Sequence, residues 1–436
     1  GQDLSNLRAF ILAEPAYTPA RGGKNNLYKL FVCRALDLLA DGGRFGFITP
    51  MAVLGDEQAV GLRREMVRQG SFTAIEAFPQ KDVPARRVFP EAKLSTAVFT
   101  LEKGRDAAAS RPFRARVHPG RFIEENSPGL TLSTESIPYY DPSNFTIVSC
   151  DQADWDLAVR IMQSGRMGRL KAFAEFFQGE VNETNERAKG NLTRIEREGK
   201  LVTRGASICL YVIRPASQGE DLLLNVESFL RDKGPDTKAY HHHYRRVGLQ
   251  ESSPQNNFRR IIAALIPAGE FCNHTVNYCT EQSCSIDLHF VLGLLNNTLS
   301  DWYFRLGSTN AHVSHYQLYN LPCPLFSQSL TPKEAQLQKR AEAAVSAGRP
   351  EEALELLRPL LAEPPFSPAI RQVIIAAVQQ IMVCEADRGD IARTERSALD
   401  PAAQPYQDLI DQLFFGMAGL SADEVKALED RYAKML

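Results

Sequence analysis

Apolar residues recur at helical spacing from Leu27 to Ala40 (Leu27, Leu30, Phe31, Ala35, Leu38, Leu39) and predict an amphipathic helix. Asp41-Gly42-Gly43 predicts its stop, because glycine takes the left-handed turn at little cost. Phe45 to Thr49 is a short apolar run, the size of a buried parallel strand, and Pro50 closes it. Asp56 to Gln69 predicts a second amphipathic helix, and Phe72 to Phe78 and Ser95 to Leu101 read as strands. The order helix, strand, helix, strand, loop, strand predicts part of a wound α/β sheet, with its first half absent from the pattern.

Beyond residue 104 the pattern weakens. Residues 105–165 read as a connector: up to about 150 they are polar and rich in proline and serine with weak strands at best, and Asp154 to Gly165 is expected to be helical. Residues 166–328 mix short strands, turns and a few helices. Leu288 to Leu306 is the clearest helix there, and Pro322 and Pro324 end the region. Residues 329–436 change to an Ala-, Glu-, Leu-, Arg- and Gln-rich helical pattern. Lys333 to Leu361 predicts a helix hairpin turning at Ala347-Gly348-Arg349-Pro350. It is one tetratricopeptide-like unit without the neighbours that a repeat array needs to bury its faces. Ala369 to Asp387 and Tyr406 to Met417 are further helices, and Ser421 with Glu424 reads as a capping box for the last one.

Composition narrows the picture little. Hydrophobic residues make up 44% of the chain, as in an ordinary globular protein. No uninterrupted apolar run of roughly 18 residues appears, and Gly1 to Arg8 lacks the pattern of a signal peptide. The 8 cysteines are scattered, which suits reduced thiols and a cytoplasmic location. The net charge of −2 neither supports nor excludes nucleic-acid binding, since phosphate affinity needs only a local basic face.

Taken alone, Asn26-Leu27-Tyr28-Lys29-Leu30-Phe31 is a helix start. Its sequel is more specific. Ala35-Leu36-Asp37-Leu38-Leu39, Gly42-Gly43, the strand Phe45 to Thr49 and Pro50 follow. Then come Leu62-Arg63, Val88-Phe89-Pro90 and Ser95-Thr96-Ala97-Val98. In this order Lys24 to Gly104 resembles the second half of the catalytic domain of γ-class, Taq-type N6-adenine DNA methyltransferases. The larger setting is that of type IIG restriction–modification enzymes. The resemblance implies that Phe31 packs on the adenine of S-adenosyl-L-methionine and that Phe89 stacks on the flipped target adenine. A base must leave the duplex to be methylated, and an aromatic face offsets part of the lost stacking. The alternative is that both phenylalanines are core residues.

The family's Asn/Asp/Ser-Pro-Pro-Tyr/Phe/Trp motif, whose carbonyls accept the hydrogens of the adenine amine, is absent. No catalytic residue is therefore expected among these residues, and the motif is expected upstream of Gly1. Glu14-Pro15-Ala16-Tyr17 lacks the amide and one proline. Glu363-Pro364-Pro365-Phe366 has glutamate in the key place and lies in the wrong domain. The glycine-rich cofactor loop is also absent, and Gly42-Gly43 with Gly46 precedes a strand instead of opening a helix.

The following region resembles a Taq-type target recognition domain. It carries Gly179-Glu180-Val181-Asn182, Leu201-Val202-Thr203-Arg204-Gly205 and Arg260-Ile261-Ile262-Ala263 to Pro267. Leu294-Leu295-Asn296-Asn297 and Leu321-Pro322-Cys323-Pro324 complete the order. Within it, Tyr240 to Arg246 is aromatic and basic, and Asn256, Asn257 and Arg259 follow. Asn310, His312 and His315 sit in a polar loop. Arginine and tyrosine suit phosphates and base edges, and asparagine suits adenine in the major groove. The candidate DNA-binding residues are thus Arg204, Tyr244, Arg245, Arg246, Asn256, Asn257, Arg259, Asn310, His312 and His315, against the alternative of solvated loops. No metal is expected. Adjacent histidines point apart, and Cys272, Cys279 and Cys284 lack the paired spacing of structural zinc sites.

The expected fold class is α/β: a partial Rossmann-like methyltransferase sheet, then an α+β target recognition domain, then an α-helical C-terminal region. The divisions fall at 1–104, 105–165, 166–328 and 329–436. The expected function is part of an adenine-specific, S-adenosylmethionine-dependent DNA methyltransferase of a restriction–modification or phage-defence system. Double-stranded DNA and an N-terminal methyltransferase half, linked or separate and with or without a nuclease, are the expected partners. The chain alone is expected to be inactive. The alternatives are a non-catalytic DNA-recognition subunit and a protein-interaction scaffold of a defence complex.

Overall fold

The computed structural model describes residues 2–24, 26–104, 111–148, 150–193, 199–215, 221–254, 257–308, 311–388 and 398–435. They form two compact units, 1–163 with 306–309, and 164–305 with 310–436.

The first unit runs α1 (Gln2–Ala13), α2 (Leu27–Leu38), β1 (Arg44–Pro50), α3 (Val60–Gln69), β2 (Gly70–Phe78) and β3 (Thr96–Lys103). It continues through β4 (Phe113–Val117), β5 (Gly129–Leu132), α4 (Ile137–Tyr140) and α5 (Gln152–Gln163). Gly42, with φ +79°, makes the expected turn after α2. Lys103 Nζ then donates to the open carbonyls of Leu36 and Leu39 at 2.8 and 2.7 Å, a cationic C-terminal cap. The sheet order is β1-β3-β2-β4-β5. β3 is antiparallel to both β1 and β2, β2 is parallel to β4, and β4 is antiparallel to β5. β1, β2 and β4 therefore point the same way and end at one end of the sheet.

Two expectations change here. The run Phe45 to Thr49 is an edge strand paired antiparallel with β3, with Ile48 45% exposed, instead of a buried parallel strand. Residues 113–117 and 129–132, expected as connector, are strands of this sheet. The sheet's one parallel pair is β2 with β4. The core is aromatic: Phe45, Phe72 and Phe113 pack around Phe99 and each other at centroid distances of 5.4–6.1 Å. On α3, Arg63 is fully buried. It donates to the Val53 and Asn144 carbonyls and to Asn144 Oδ1 at 2.8–2.9 Å, holding the turn after α4.

The second unit contains β6 (Met167–Arg169), β7 (Phe177–Gln178), α6 (Glu183–Ala188), β8 (Leu192–Thr193), β9 (Lys200–Thr203), β10 (Leu223–Leu224) and α7 (Val226–Leu230). Next come β11 (Arg246–Gln250), β12 (Ala263–Ile266), β13 (Phe271–Cys272), β14 (Val276–Thr280), α8 (Leu288–Asn296), α9 (Thr298–Leu306), α10 (His315–Tyr319) and β15 (Pro322–Pro324). It closes with α11 (Pro332–Ser346), α12 (Pro350–Leu357), α13 (Pro368–Asp387), α14 (Gln404–Ala418) and α15 (Ala422–Met435). Two four-stranded sheets, β12-β11-β14-β7 and β13-β9-β10-β8, carry its β part.

The motifs of this region have local causes. A Cβ on Gly179 would lie 1.8 Å from the Asn273 carbonyl oxygen, so only glycine allows that crossing. Asn182 Oδ1 caps α6 by accepting from Asn185 N at 3.1 Å. Asn296 binds Ala263 through both amide atoms, at 3.0 and 2.9 Å, and Asn297 Oδ1 accepts from Ser300 N at 2.8 Å.

α13 packs against α8, α11 and α14. It is the one described helix long and apolar enough to cross a membrane by length and composition. Ile370, Val373, Ile374, Ala377, Val378 and Ile381 on it are all fully buried, as the central helix of a packed layer requires.

Candidate nucleic-acid interface

In the first unit, the loop from Pro79 to Ser95 leaves the C-terminal end of β2 and is braced from within. Ser95 Oγ donates to the Pro79 carbonyl at 2.8 Å, closing its base. Gln80 Oε1 accepts from the amides of Asp82 and Val83. The Arg87 guanidinium spans the loop, reaching the Lys81 carbonyl at 2.6 Å and the Pro90 carbonyl at 2.9 Å. A loop so tied holds Phe89 out, 46% exposed. It is not a core phenylalanine.

Phe31 is 62% exposed on α2, in a stripe with Leu27 and Leu38, while Val32, Cys33 and Leu36 bury the other face. A helix normally exposes polar residues opposite its buried stripe. The open apolar stripe belongs to a surface built to meet something else. Beneath it, Lys29 is buried and donates to the carbonyls of Gly22 and Gln58 at 2.6 and 3.1 Å. Burial pulls the Lys29 ammonium below its usual range, against the pull of Asp56.

At the same end of the sheet, β2 and β4 are tied by a buried polar cluster. Arg116 and His118 both bind the Glu76 carboxylate. Arg116 Nε lies 2.9 Å from Oε2, and His118 Nε2 lies 2.7 Å from it. Burial opposes the charge on Glu76, but the hydrogen bonds from Arg116 and His118 outweigh it and hold the carboxyl below its usual range.

In the second unit the candidates fall into three groups. Arg204, Tyr244 and Asn257 are half-buried, Arg245 and His312 are exposed, and His315 is half-buried. Arg245 pairs with Glu281 at 3.0 Å and His312 with Glu251 at 2.7 Å. Such exposed pairs cost little to open, about 0–1 kcal/mol. The segments of His312 and Glu251 are paired: Val313 N donates to the Glu251 carbonyl and Ser253 N to the Ala311 carbonyl. His312 therefore lies beside residues 251–253. Burial pushes the His315 imidazole below its usual range, with Lys238 adding to the effect.

Arg246 and Arg259 are corrections. Arg246 is fully buried, with NH1 on both oxygens of Glu180 at 3.1 and 3.2 Å and its guanidinium 4.8 Å from the Tyr278 ring centre. Arg259 is 6% exposed and donates to the Asn296 carbonyl at 2.6 Å. Neither reaches solvent, so neither presents a face to DNA. The Asn257 amide donates to Ser253 Oγ and the Arg259 carbonyl, bracing its own loop. Asn256 and Asn310 lie outside the described residues.

The histidine run turns largely inward, with His242 stacked 4.2 Å from Phe271 and His241 Nδ1 3.2 Å from the Tyr278 hydroxyl. Among the described residues no group of three or more His, Cys, Asp or Glu side chains could hold a metal ion. Sequence reasoning passed over Arg87, whose role as a brace depends on loop closure. It also passed over the turn after β4, where Pro119-Gly120 and Ser127-Pro128 bracket a short apolar pair and could have marked a presented loop.

The sequence pattern of the Eco57I restriction–modification methylase family matches residues 5–83. No curated protein matches the chain. Among solved structures, the type IIL restriction–modification enzyme MmeI in complex with DNA aligns at 10% identity and a TM-score of 0.44, covering 94% of this chain and 52% of that one. The DrdV–DNA complex aligns at 12% identity and 0.38, covering 98% and 54%. The type IIG restriction endonuclease BpuSI aligns at 10% identity and 0.30, covering 92% and 50%. The chain thus spans about half the length of these enzymes. In the segment of α2, β1, α3 and β2, ending within the first residues of the Phe89 loop, the chain is similar to the Eco57I restriction–modification methylases, the kind of enzyme that the order of its motifs resembles.

Proposed function

We propose that this chain is the DNA-reading, C-terminal part of an S-adenosylmethionine-dependent, adenine-specific DNA methyltransferase of the type IIG restriction–modification kind, acting in the cytoplasm. The observation that carries the reading is Phe89. It stands exposed on a self-braced loop, at the sheet end that the Eco57I-like segment leads into. A base turned out of a duplex needs a flat apolar face at a fixed place, and a braced aromatic offers one.

The exposed Phe31 fits the adenine ring of S-adenosylmethionine, which supplies the methyl group when bound. The open stripe of α2 and the edge strand β1 are the surfaces on which the remaining half of the methyltransferase sheet is built. The carbonyls that accept the hydrogens of the target amine, and the glycine-rich loop, come from residues outside 1–436. Target sequence is read in the second unit, with Arg204, Tyr244, Arg245, His312 and His315 as the reading side chains and Asn257 bracing its own loop. Because the adenine lone pair is delocalised into its ring, without the amine-binding carbonyls this chain alone transfers no methyl group.

The test is Phe89→Ala and Phe89→Trp in the complete protein, assayed for methyl transfer to DNA from labelled S-adenosylmethionine. Stacking worth about 1–3 kcal/mol predicts a loss of about 5- to 150-fold in kcat/KM for alanine and a largely restored rate for tryptophan. Equal rates in all three proteins would refute the role. Sequence-selective DNA binding with no methyl transfer under any condition would favour a recognition subunit instead.

A further inference from the structure

We infer that the turn after β4 is a second DNA contact of the first unit, with Phe122 and Ile123 as an apolar wedge against the bases beside the extruded one and Arg121 as the cation next to them. The inference rests on the reading above that the first unit handles DNA, and it adds a contact that the Eco57I-like segment does not contain.

The placement follows from topology. β2 and β4 are parallel neighbours, with Ala77 beside Val117, so the 79–95 loop and the 118–127 loop leave the same end of the sheet side by side. They are also bonded. His118 N donates to the Ala77 carbonyl at 2.9 Å, its ring binds Glu76, and the same ring stacks on Phe78 at 4.9 Å, one residue before the Phe89 loop begins. Both loops therefore open at the end of the sheet at which Phe89 stands exposed.

The loop is pinned at its base and open at its tip. His118 Nδ1 accepts from Glu124 N at 3.1 Å and lies 2.9 Å from Ser127 Oγ, and Val117 N reaches the Pro128 carbonyl. His118 is fully buried and Ser127 nearly so, whereas every residue from Arg121 to Asn126 is exposed. At the tip, Phe122 is 67% and Ile123 57% exposed, adjacent in sequence and beneath no other element. The Arg121 guanidinium lies over the Phe122 ring, 4.9 Å from its centre.

A preorganised loop that spends its tip on an aromatic and a β-branched residue, with an arginine beside them, has the composition of side chains that wedge against unstacked bases. Such a wedge replaces stacking lost when a neighbouring nucleotide leaves the helix. Glu124 and Glu125 follow the wedge and would repel phosphates, so the contact is with base faces. Cations for the backbone come from Arg121 and, on the adjoining loop, from Lys81, Arg86 and Lys93.

The test is photocross-linking in the complete protein. A benzophenone amino acid replaces Phe122 in one protein, Phe89 in a second and the exposed Val383 of the second unit in a third as a control. The probe is sheared, labelled genomic DNA of the source organism. The expected result is DNA cross-linked through positions 122 and 89 and little through 383. With DNA bound, cross-linking at 89 but only background at 122 overturns this inference and leaves the proposed function standing. Protein–protein cross-links at 122 in place of DNA overturn it in favour of an assembly surface. Failure of the unsubstituted protein to bind the DNA removes both. As a second readout, Phe122→Ser with Ile123→Ser is expected to weaken binding to duplex DNA about tenfold while leaving the melting temperature unchanged, since both side chains are exposed. Unchanged affinity contradicts the wedge.

Discussion

Arg246 shows how far one side chain's surroundings decide its role. In the sequence it closes a run of tyrosine, histidine and arginine that suits DNA. In the fold its guanidinium faces the equally buried Glu180, whose carboxyl burial raises above its usual range against the pull of Arg246. Removing one partner leaves an uncompensated buried charge, which costs about 3–5 kcal/mol, whereas replacing both by apolar groups is often neutral. Arg246→Met is therefore expected to lower stability by about that amount, and Arg246→Met with Glu180→Leu to recover most of it. Denaturant unfolding measures both. The folded double variant should bind DNA as the native protein does; a selective loss of DNA affinity would return Arg246 to the reading face. Nothing local in the sequence announces this pair, because its members are 66 positions apart. The loop placement of Phe89 was legible for the opposite reason. Its prolines and its place between two strands are local, whereas the bonds of Arg87, Gln80 and Ser95 that hold it exposed depend on loop closure.

At the level of elements, α2, β1, α3, β2 and β3 were readable because periodicity and Gly or Pro punctuation agree there. β4 and β5 were not. Phe113-Arg114-Ala115-Arg116-Val117 does alternate, but the arginines and the surrounding prolines and serines outweigh so short a signal. The partnership of β1 was equally hidden, since an apolar run does not say whether its neighbours are parallel or whether one edge is open.

The helical C-terminal region is joined to α9 by polar bonds. Asp411 on α14 accepts from Thr298 N and Oγ1 at 2.8 and 2.7 Å, and Tyr432 on α15 donates to Asp301 at 2.7 Å. Burial pushes the Asp411 carboxyl up to about 6, against the pull of Arg259 and its hydrogen bonds. A carboxyl with a raised folded pKa contributes stability below its unfolded value near 3.9, and loses it as pH rises through 6. The melting temperature of the native protein should therefore gain on that of Asp411→Asn as pH falls from 7 to 5. A difference that stays constant over this range would mean that Asp411 is not protonated there.

Across the whole molecule, the informative features are the surfaces left open. Leu27, Phe31 and Leu38 on α2 and Ile48 on β1 are each 45–69% exposed. Full burial of such side chains is worth about 1.5–3 kcal/mol apiece, a driving force for association with the rest of a sheet. An edge strand with unpaired backbone groups adds directional bonds to it. The same surface holds Phe31, so under the proposed function cofactor binding and assembly of the domain would meet at one place. The motif order of residues 24–104 was enough to point to the family, but it could not show which side of the half-sheet is open, because that depends on the pairing of strands far apart in sequence.

The most direct measurement is the nucleoside that the complete protein methylates. DNA incubated with it and labelled S-adenosylmethionine, then digested to nucleosides, should carry label in N6-methyladenine, confined to one short sequence. Residues 1–436 supplied alone should transfer none until the other half of the methyltransferase domain is added. Label in methylcytosine, or the absence of any methylated base with the complete protein, would contradict the proposed chemistry.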